Sequence, residues 1–256
     1  MSKAMVFGIV GAAAGAVMFA LGMVAGNQPA TTSADAVEPA RAQIESVVRD
    51  YLSANPEILI EMQTALELRE EERQRVGQLE TIRGATDEIF NAQYDGVFGN
   101  PEGSVTVVEF FDYNCGYCKR ALADMEAMVE ANPELRFVLK EFPILGPDSQ
   151  RAHIVSMAFR NLASDRYPEF HRELLSGSRA TEATAVGIAV RLGVEEAALR
   201  AEMENPEILQ AFAATYELAN SLSITGTPSY VIGDEVVFGA LGQQVLEQKV
   251  AQLQGQ

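Results

Sequence analysis

The sequence predicts an α/β domain that carries a helical insertion and follows an apolar N-terminal segment and a helical arm. A β-branched and aromatic run, VTVVEFFDY, leads into the motif NCGYCK and then into a helical pattern. A second strand pattern precedes a long helical stretch, and two short strands and a helix close the chain. This order is that of an α/β domain interrupted by a helical block.

The N-terminal segment is long enough to cross a membrane. Met5 to Ala25 carries no charge, and about 20 apolar helical residues span a hydrocarbon core. Because Lys3 precedes this run and acidic residues follow it, we expect the N-terminus in the cytoplasm and the remainder outside. Residues 1–26 are therefore predicted to be a transmembrane anchor or a signal segment. The motif Ala34-Asp35-Ala36 leaves cleavage open.

A flexible linker is predicted over residues 27–40, which are polar and contain two prolines. Residues 41–92 then predict a helical arm, because apolar side chains recur at helical spacing in each of two segments. The arm has too little mass for its own core, so it docks either on the main domain or on copies of itself. The second option predicts a homo-oligomer formed through residues 41–83. The first stripe comprises Ile44, Val47, Val48, Tyr51 and Leu52.

The main domain is predicted over residues 93–256, with the helical insertion at about 148–221. Leu122, Met125 and Met128 share one face of the helix after the cysteines. The dipeptide Gly233-Asp234 between two short β-patterns predicts a hairpin. The predicted strands are 105–113, 135–142, 229–232 and 235–238, and the last helix is 243–253.

Cys115 and Cys118 are the only cysteines in 256 residues. The pattern places Cys115 at a helix N-terminus, where the helix dipole and free N–H groups stabilise a thiolate. Such placement lowers a cysteine pKa from about 8.5 to roughly 3.5–7.5. Cys118 lies one turn further into the helix and is expected to be more buried. We therefore predict that Cys115 attacks a client protein to form a mixed disulfide, which Cys118 resolves.

Composition argues against several other classes of function. The net charge of −17 argues against nucleic acid as a partner. Two thiolates suit Cu(I) or Zn²⁺, but His153 and His171 show no ligand spacing and read as surface or satisfied helix residues. A purely structural role predicts a lost cysteine, and both are present. No nucleotide, flavin or phosphate motif is found, and none is needed because the cysteines store the electrons.

Two motifs carry a family resemblance. EFFDYNCGYCK and ITGTPSYVIGDEVV resemble the DsbA-like thioredoxin-fold family of bacterial envelope disulfide oxidoreductases. The arm, with YLSANPEIL, resembles the N-terminal extension of a membrane-anchored or trimer-forming branch, the Com1 and ScsC-like proteins. The resemblance implies a thioredoxin fold and a cis-proline at Pro228, preceded by Thr227.

The resemblance also implies a buried acid at Glu109, with Lys140 as its charged partner. Together they would relay protons to Cys118. This chain departs from its relatives at Phe238, where they usually have proline.

The function implied is the formation, reduction or isomerisation of disulfides in exported proteins. Gly116-Tyr117 lacks the histidine of the strongest oxidants and matches isomerase-type relatives, which favours an isomerase or reductase over a dithiol oxidase. A copper- or zinc-binding module is the further alternative. We expect a periplasmic protein, anchored to the inner membrane or soluble if the N-terminal segment is cleaved. A membrane redox partner is also expected.

Overall fold

The computed structural model describes residues 34–254, which divide into two compact units between Glu67 and Leu68. Within these residues, no helix has both the length and the apolar character that a membrane span requires. The span predicted at residues 5–25 lies outside the described residues and stays a prediction.

The first unit consists of helix α1 (Ala34–Ala54) and the start of helix α2 (Glu57–Gly84). Residues 34–40 are thus helical rather than part of the predicted flexible linker, and the rest of that linker lies outside the described residues. Alanine has the highest helix propensity, and three of these residues are alanine. The apolar side chains of the first unit are exposed, among them Ile44, Val47, Tyr51, Leu59, Met62 and Leu66.

The second unit is built on a mixed five-stranded sheet with strand order β1-β3-β2-β4-β5. The central strands β2 and β3 are parallel, and the other neighbours are antiparallel. The first strand was not predicted, because its sequence GVFG is short and glycine disfavours strands. The strands are β1 (Gly96–Gly99), β2 (Val105–Phe111), β3 (Leu135–Glu141), β4 (Ser229–Ile232) and β5 (Glu235–Phe238).

Helices cover both faces of this sheet. The insertion extends over Pro147–Ser221, close to its predicted bounds. The helices are α3 (Thr86–Phe90), α4 (Gly116–Ala131), α5 (Pro147–Leu162), α6 (Tyr167–Ser176), α7 (Glu182–Arg191), α8 (Glu196–Met203), α9 (Pro206–Ser221) and α10 (Gln243–Gln254), with a short 3₁₀ helix at Ser164–Arg166.

Alternate residues of the central strands point to opposite faces and contribute to two separate apolar cores. On the face that we call the dithiol face, Val107, Phe111, Phe137 and Leu139 pack with Cys115, Cys118, helix α4 and most of the insertion. On the face that we call the opposite face, Val108, Phe110, Val138 and Phe142 pack with Leu218, Leu222, Ile82 and Ile89.

The boundary between arm and domain differs from the predicted one. Ile82 and Ile89 are buried in the core of the opposite face, and Gln78 Nε2 donates to Leu222 O at 3.1 Å. Residues 68–92, predicted as part of the arm, therefore belong to the compact domain. Their apolar residues are few, so the stripe is weak in sequence, but Ile82 and Ile89 pack in the core of the opposite face.

Candidate active site

The turn between β2 and α4 places the cysteines. The Cys115 N–H donates to Asp112 O at 2.9 Å, and Cys115 is the residue that precedes the first turn of α4. This confirms the predicted position at a helix N-terminus. Cys115 is 6% exposed and Cys118 is fully buried one turn further in. A client sulfur would therefore meet Cys115 first.

The pKa values of the two thiols are shifted in opposite directions. A hydrogen bond with the Cys118 side chain lowers the pKa of Cys115 to about 5; burial opposes the shift, and bonds with Thr227 and the backbone of the first helical turn add to it. Burial raises the pKa of Cys118, and its bond to Cys115 and the charge of Glu109 raise it further. At neutral pH the pair therefore holds one thiolate, on Cys115, and one thiol.

The loop before β4 faces the nucleophile. The Thr227–Pro228 peptide bond is cis, as expected, and the Cys115 thiol lies 3.1 Å from Thr227 O. Pro228 O in turn accepts from the Gly239 N–H at 2.9 Å, which ties the end of β5 to this loop. Phe238 pairs with Ser229 across the β4–β5 ladder, and its side chain is 48% exposed. An apolar side chain thus stands next to the loop that contacts the nucleophile.

Glu109 is buried on the dithiol face, as the resemblance implies. It lies opposite Leu139 on β3 and Tyr230 on β4, and its side chain is 1% exposed. Among the described residues, its Oε1 has no hydrogen-bond partner. Burial, and then the charge of Cys115, raise the pKa of Glu109 to about 8. This carboxyl group can therefore take up or release a proton near neutral pH.

The predicted pairing of Lys140 with Glu109 is wrong. Lys140 is in register with Phe110, not with Glu109, so its side chain points to the opposite face of the sheet. There its Nζ donates to Asp95 Oδ2 at 2.5 Å and to Glu88 O, and the ion pair with Asp95 is buried. The structure thus gives Lys140 an ion pair remote from the dithiol.

The residues on either side of the cysteines hold the motif to the insertion. The Asn114 side-chain amide exchanges two hydrogen bonds with Ala180, donating to Ala180 O at 2.9 Å and accepting from Ala180 N at 2.8 Å. Lys119 Nζ donates to Gly177 O at 2.6 Å and to Ser178 O at 2.9 Å. The loop between α6 and α7 is therefore tied to both ends of the motif.

Sequence reasoning missed a buried polar cluster under the turn. His153 and His171, predicted as surface or satisfied residues, are fully buried beside Tyr113. Glu141 on β3 lies in the same cluster. The one available signal in the sequence was Glu141, a glutamate within the apolar strand LRFVLKEF. No group of three or more possible metal ligands occurs within the described part of the chain.

Comparison with known families gives the chain its relatives. Residues 106–251, more than half of the chain, match the family of DSBA-like thioredoxin domains. The chain belongs to the DsbA-like thioredoxin family. It is therefore a thiol-disulfide oxidoreductase with a thioredoxin-like fold, as the motifs predicted. Residues 41–73 match a second family, the N-terminal domain of the copper resistance protein ScsC.

Solved structures agree with this assignment. A thioredoxin-like oxidoreductase from Silicibacter pomeroyi DSS-3 is 40% identical, with a TM-score of 0.63, covering 66% of this chain and 98% of that one. The thiol-disulfide exchange protein alpha-DsbA2 from Wolbachia pipientis is 28% identical, with a TM-score of 0.65 and coverages of 71% and 98%. A linker-deletion mutant of Proteus mirabilis ScsC is 25% identical, with a TM-score of 0.65 and coverages of 84% and 95%. No curated protein matches the chain.

Proposed function

We propose that this chain reduces or isomerises disulfides in exported proteins of the bacterial periplasm. The observation that carries the proposal is the difference in protonation between the two thiols. Cys115 has a lowered pKa at a helix N-terminus, and the buried Cys118 remains protonated. A periplasmic location fits the relatives, which include a periplasmic thioredoxin-like protein from Salmonella enterica. The N-terminal anchor and a membrane redox partner stay predictions.

The reaction begins at Cys115. Its thiolate attacks one sulfur of a client disulfide, the client S–S bond breaks, and the other client sulfur leaves as a thiolate. For isomerisation, a client thiolate then attacks within the mixed disulfide and regenerates Cys115. For reduction, Cys118 attacks the Cys115 sulfur, the second client thiol is released, and the two enzyme thiols become a disulfide.

Glu109 serves the second of these routes. Cys118 is protonated and buried, so it must lose a proton before it attacks. Glu109 lies on the same face, interacts electrostatically with both cysteines, and has a pKa raised to about 8 by burial. A group with a pKa near the working pH is a suitable proton acceptor. In this proposal Glu109 acts alone, without Lys140.

Thr227 and Pro228 form the client side of the site. An extended client segment would align with the Thr227 backbone, whose carbonyl is already within 3.1 Å of the Cys115 sulfur. Tyr117, Phe238 and Leu241 are exposed apolar side chains within or next to the motif and the loop. They would contact apolar residues that flank the client cysteine, as unfolded or misfolded chains expose.

The exposed arm supports an oligomeric isomerase over a monomeric oxidase. The α1 side chains Ile44, Val47 and Tyr51 form an apolar stripe that stays exposed, and contiguous exposed apolar surface marks an interaction site. We propose that copies of the chain associate through this stripe. Val47→Glu should then yield monomers by light scattering, and Arg49→Glu, outside the stripe, should not. A wild-type protein that is monomeric would refute this part.

A redox titration tests the main proposal. The metal-free protein is equilibrated in glutathione buffers, and Cys115 and Cys118 are followed by thiol trapping. We expect a reversible two-electron couple at about −200 mV, and recovery of activity from a scrambled disulfide client. A value of about −120 mV would instead identify an oxidase.

Metal binding is the second candidate, favoured by the similarity of residues 41–73 to the N-terminal domain of the copper resistance protein ScsC. Two adjacent buried sulfurs suit Cu(I). In that case the pair would fail to close to a disulfide in the titration and would bind Cu(I) stoichiometrically.

A further inference from the structure

A buried imidazole joins the end of one central strand to the turn that carries Cys115. His153, on α5, contacts the Glu141 carboxylate through Nδ1. Through Nε2 it meets the backbone N–H of Tyr113 at 3.2 Å. His153 and Tyr113 are fully buried, and Glu141 nearly so. The connection therefore lies inside the core of the dithiol face.

The contacts fix the protonation of this imidazole. A backbone N–H can only donate, so Nε2 of His153 carries a lone pair and Nδ1 carries the hydrogen. Nδ1–H then donates to Glu141 Oε2. The other carboxylate oxygen, Oε1, accepts from Ser156 Oγ at 2.6 Å and from Tyr167 OH at 3.0 Å. Both ends of the imidazole are thus held by groups that are themselves fixed.

Tyr113 belongs to a turn that is held at each of its residues. The Asp112 carboxylate accepts from Asn114 N at 2.7 Å, from Leu145 N at 2.9 Å and from Ser149 Oγ at 2.8 Å. The Cys115 N–H bonds to Asp112 O. The Tyr113 N–H would be the unsatisfied group in this turn if His153 did not accept from it, and a buried unsatisfied donor is destabilising.

We propose that His153 is a positioning residue for the dithiol, which holds the Tyr113 backbone so that the Cys115 sulfur stays within reach of its hydrogen-bond donors. This inference rests on the proposed function, since it assigns a role in the chemistry of Cys115. Among the described residues, the hydrogen bonds of His153 go to Tyr113 and Glu141, and neither involves a cysteine sulfur. Its effect passes through two residues of backbone.

The consequence follows from the steep geometry of hydrogen bonds. The Cys115 thiolate is stabilised by the Cys118 side chain and by the backbone of Tyr117 and Cys118. Such bonds weaken strongly when the donor and acceptor move apart or lose alignment. If Tyr113 loses its acceptor, the turn shifts to find another, and the sulfur moves relative to these donors. The pKa of Cys115 should then rise, and the reduced form should lose its advantage over the disulfide.

Three variants of His153 separate this role from simple packing. His153→Leu removes both bonds. His153→Asn keeps a donor near the Nδ1 position for Glu141 but cannot reach the Tyr113 N–H. His153→Gln places an amide oxygen near the Nε2 position and can restore that acceptor. His171→Leu is the matched control, because His171 is equally buried and its one hydrogen bond among the described residues is to the Tyr113 hydroxyl, at 3.3 Å, not to the backbone of the turn.

The experiment is a pH titration of the Cys115 thiolate in the reduced protein, by ultraviolet absorbance and by the rate of alkylation. We expect His153→Leu and His153→Asn to raise the pKa by about one, which cuts the thiolate fraction below the pKa about tenfold. His153→Gln should recover part of this change. His171→Leu should lose stability and keep the wild-type pKa.

The outcomes distinguish the two levels of the argument. A wild-type Cys115 that titrates as an ordinary cysteine would contradict the proposed function itself. A low wild-type pKa that His153→Asn leaves unchanged, or that His171→Leu raises as much, would overturn the positioning role alone. If His153→Leu does not fold, the comparison of His153→Asn with His153→Gln still decides the matter.

Discussion

The two faces of the central sheet treat a buried charge in different ways. On the opposite face, Lys140 is paired with Asp95 and also donates to Glu88 O. On the dithiol face, one position earlier in the parallel ladder, Glu109 has a buried oxygen that finds no hydrogen-bond partner among the described residues. Burial raises the pKa of Asp95 to about 7 and lowers that of Lys140, although the charge of each partner opposes the shift. Burial and the charge of Cys115 together raise the pKa of Glu109 to about 8. The comparison separates a group that supports the fold from one that is available for proton transfer.

The largest expected effect comes from breaking the ion pair. Lys140→Met keeps the length of the side chain but leaves the Asp95 carboxylate buried without a cation. Removal of one partner of a buried pair costs about 3–5 kcal/mol. Urea denaturation should show this loss, while the redox potential of the dithiol stays at the wild-type value.

A double variant serves as the control for this loss. Lys140→Met with Asp95→Leu removes both charges and should recover most of the lost stability, because no unpaired charge remains. If Lys140→Met alone also slowed the reaction of Cys118, Lys140 would belong to the proton relay after all, and the contrast between the faces would fail.

The next effect concerns the pH dependence of stability, which Glu109 should dominate on the dithiol face. Its pKa in the folded protein, about 8, lies above the ordinary value of 4.5. A raised acid pKa means that stability is fully present below 4.5 and is lost as the pH rises through 8. Glu109→Gln removes this loss and should stabilise the reduced protein at pH 9 by about 2–4 kcal/mol.

At pH 4, below the ordinary pKa of this glutamate, Glu109→Gln should match the wild type within error, because both side chains are then uncharged. Cys115 titrates in the opposite sense, since its lowered pKa contributes stability that is lost as the pH falls from 9 through about 5. Because Glu109 and Cys115 interact, the cleanest comparison has Cys115 replaced by Ser in both proteins. Equal stability of the two proteins at pH 9 would mean that water reaches Glu109.

A smaller effect is expected in the kinetics of the same variant. Glu109→Gln cannot accept the Cys118 proton, so resolution of a preformed mixed disulfide at Cys115 should slow about tenfold to a hundredfold at pH 7. The first attack by Cys115 should keep its rate, because that thiolate is already formed. Stopped-flow measurement of the two steps checks this. Slowing of both steps equally would point to a structural effect.

The parts of the site that local sequence determines were predicted, and the parts that depend on register were not. Two predictions depended only on neighbouring residues: Cys115 at the N-terminus of a helix, and the hairpin of β4 and β5. Both are confirmed. The family resemblance assigned Lys140 to Glu109. The strand patterns could not correct this, because each strand alone gives an alternation but not its phase relative to the next strand. The ladder supplies that phase, and it places the two charges on opposite faces.

His153 could not be predicted for a related reason. Its partners, Glu141 and the Tyr113 backbone, lie 12 and 40 positions away along the chain. Only the packing of α5 against the ends of β2 and β3 brings them together. Likewise, Ile82 and Ile89 look like a faint continuation of the arm in sequence, and only their burial on the sheet assigns them to the domain.

The smallest predicted effect tests whether Phe238, beside the Pro228 loop, contacts clients. The side chain is half exposed beside the Pro228 loop. Phe238→Ala should raise KM for an unfolded protein client about threefold to fivefold, through the loss of roughly 1 kcal/mol of apolar contact. Oxidised glutathione is a much smaller disulfide than an unfolded protein, so we expect its reaction to be unchanged.

Leu209 provides the control for that last substitution. It is an exposed apolar residue of α9, and Leu209→Ala should change neither reaction. If the protein client reacts equally well with Phe238→Ala and with Leu209→Ala, exposed apolar surface beside the loop does not select clients. Selection would then rest on the Thr227 backbone and on the chemistry of Cys115 alone. The face of the sheet that carries the unpaired acid would in that case supply the reaction but not the specificity.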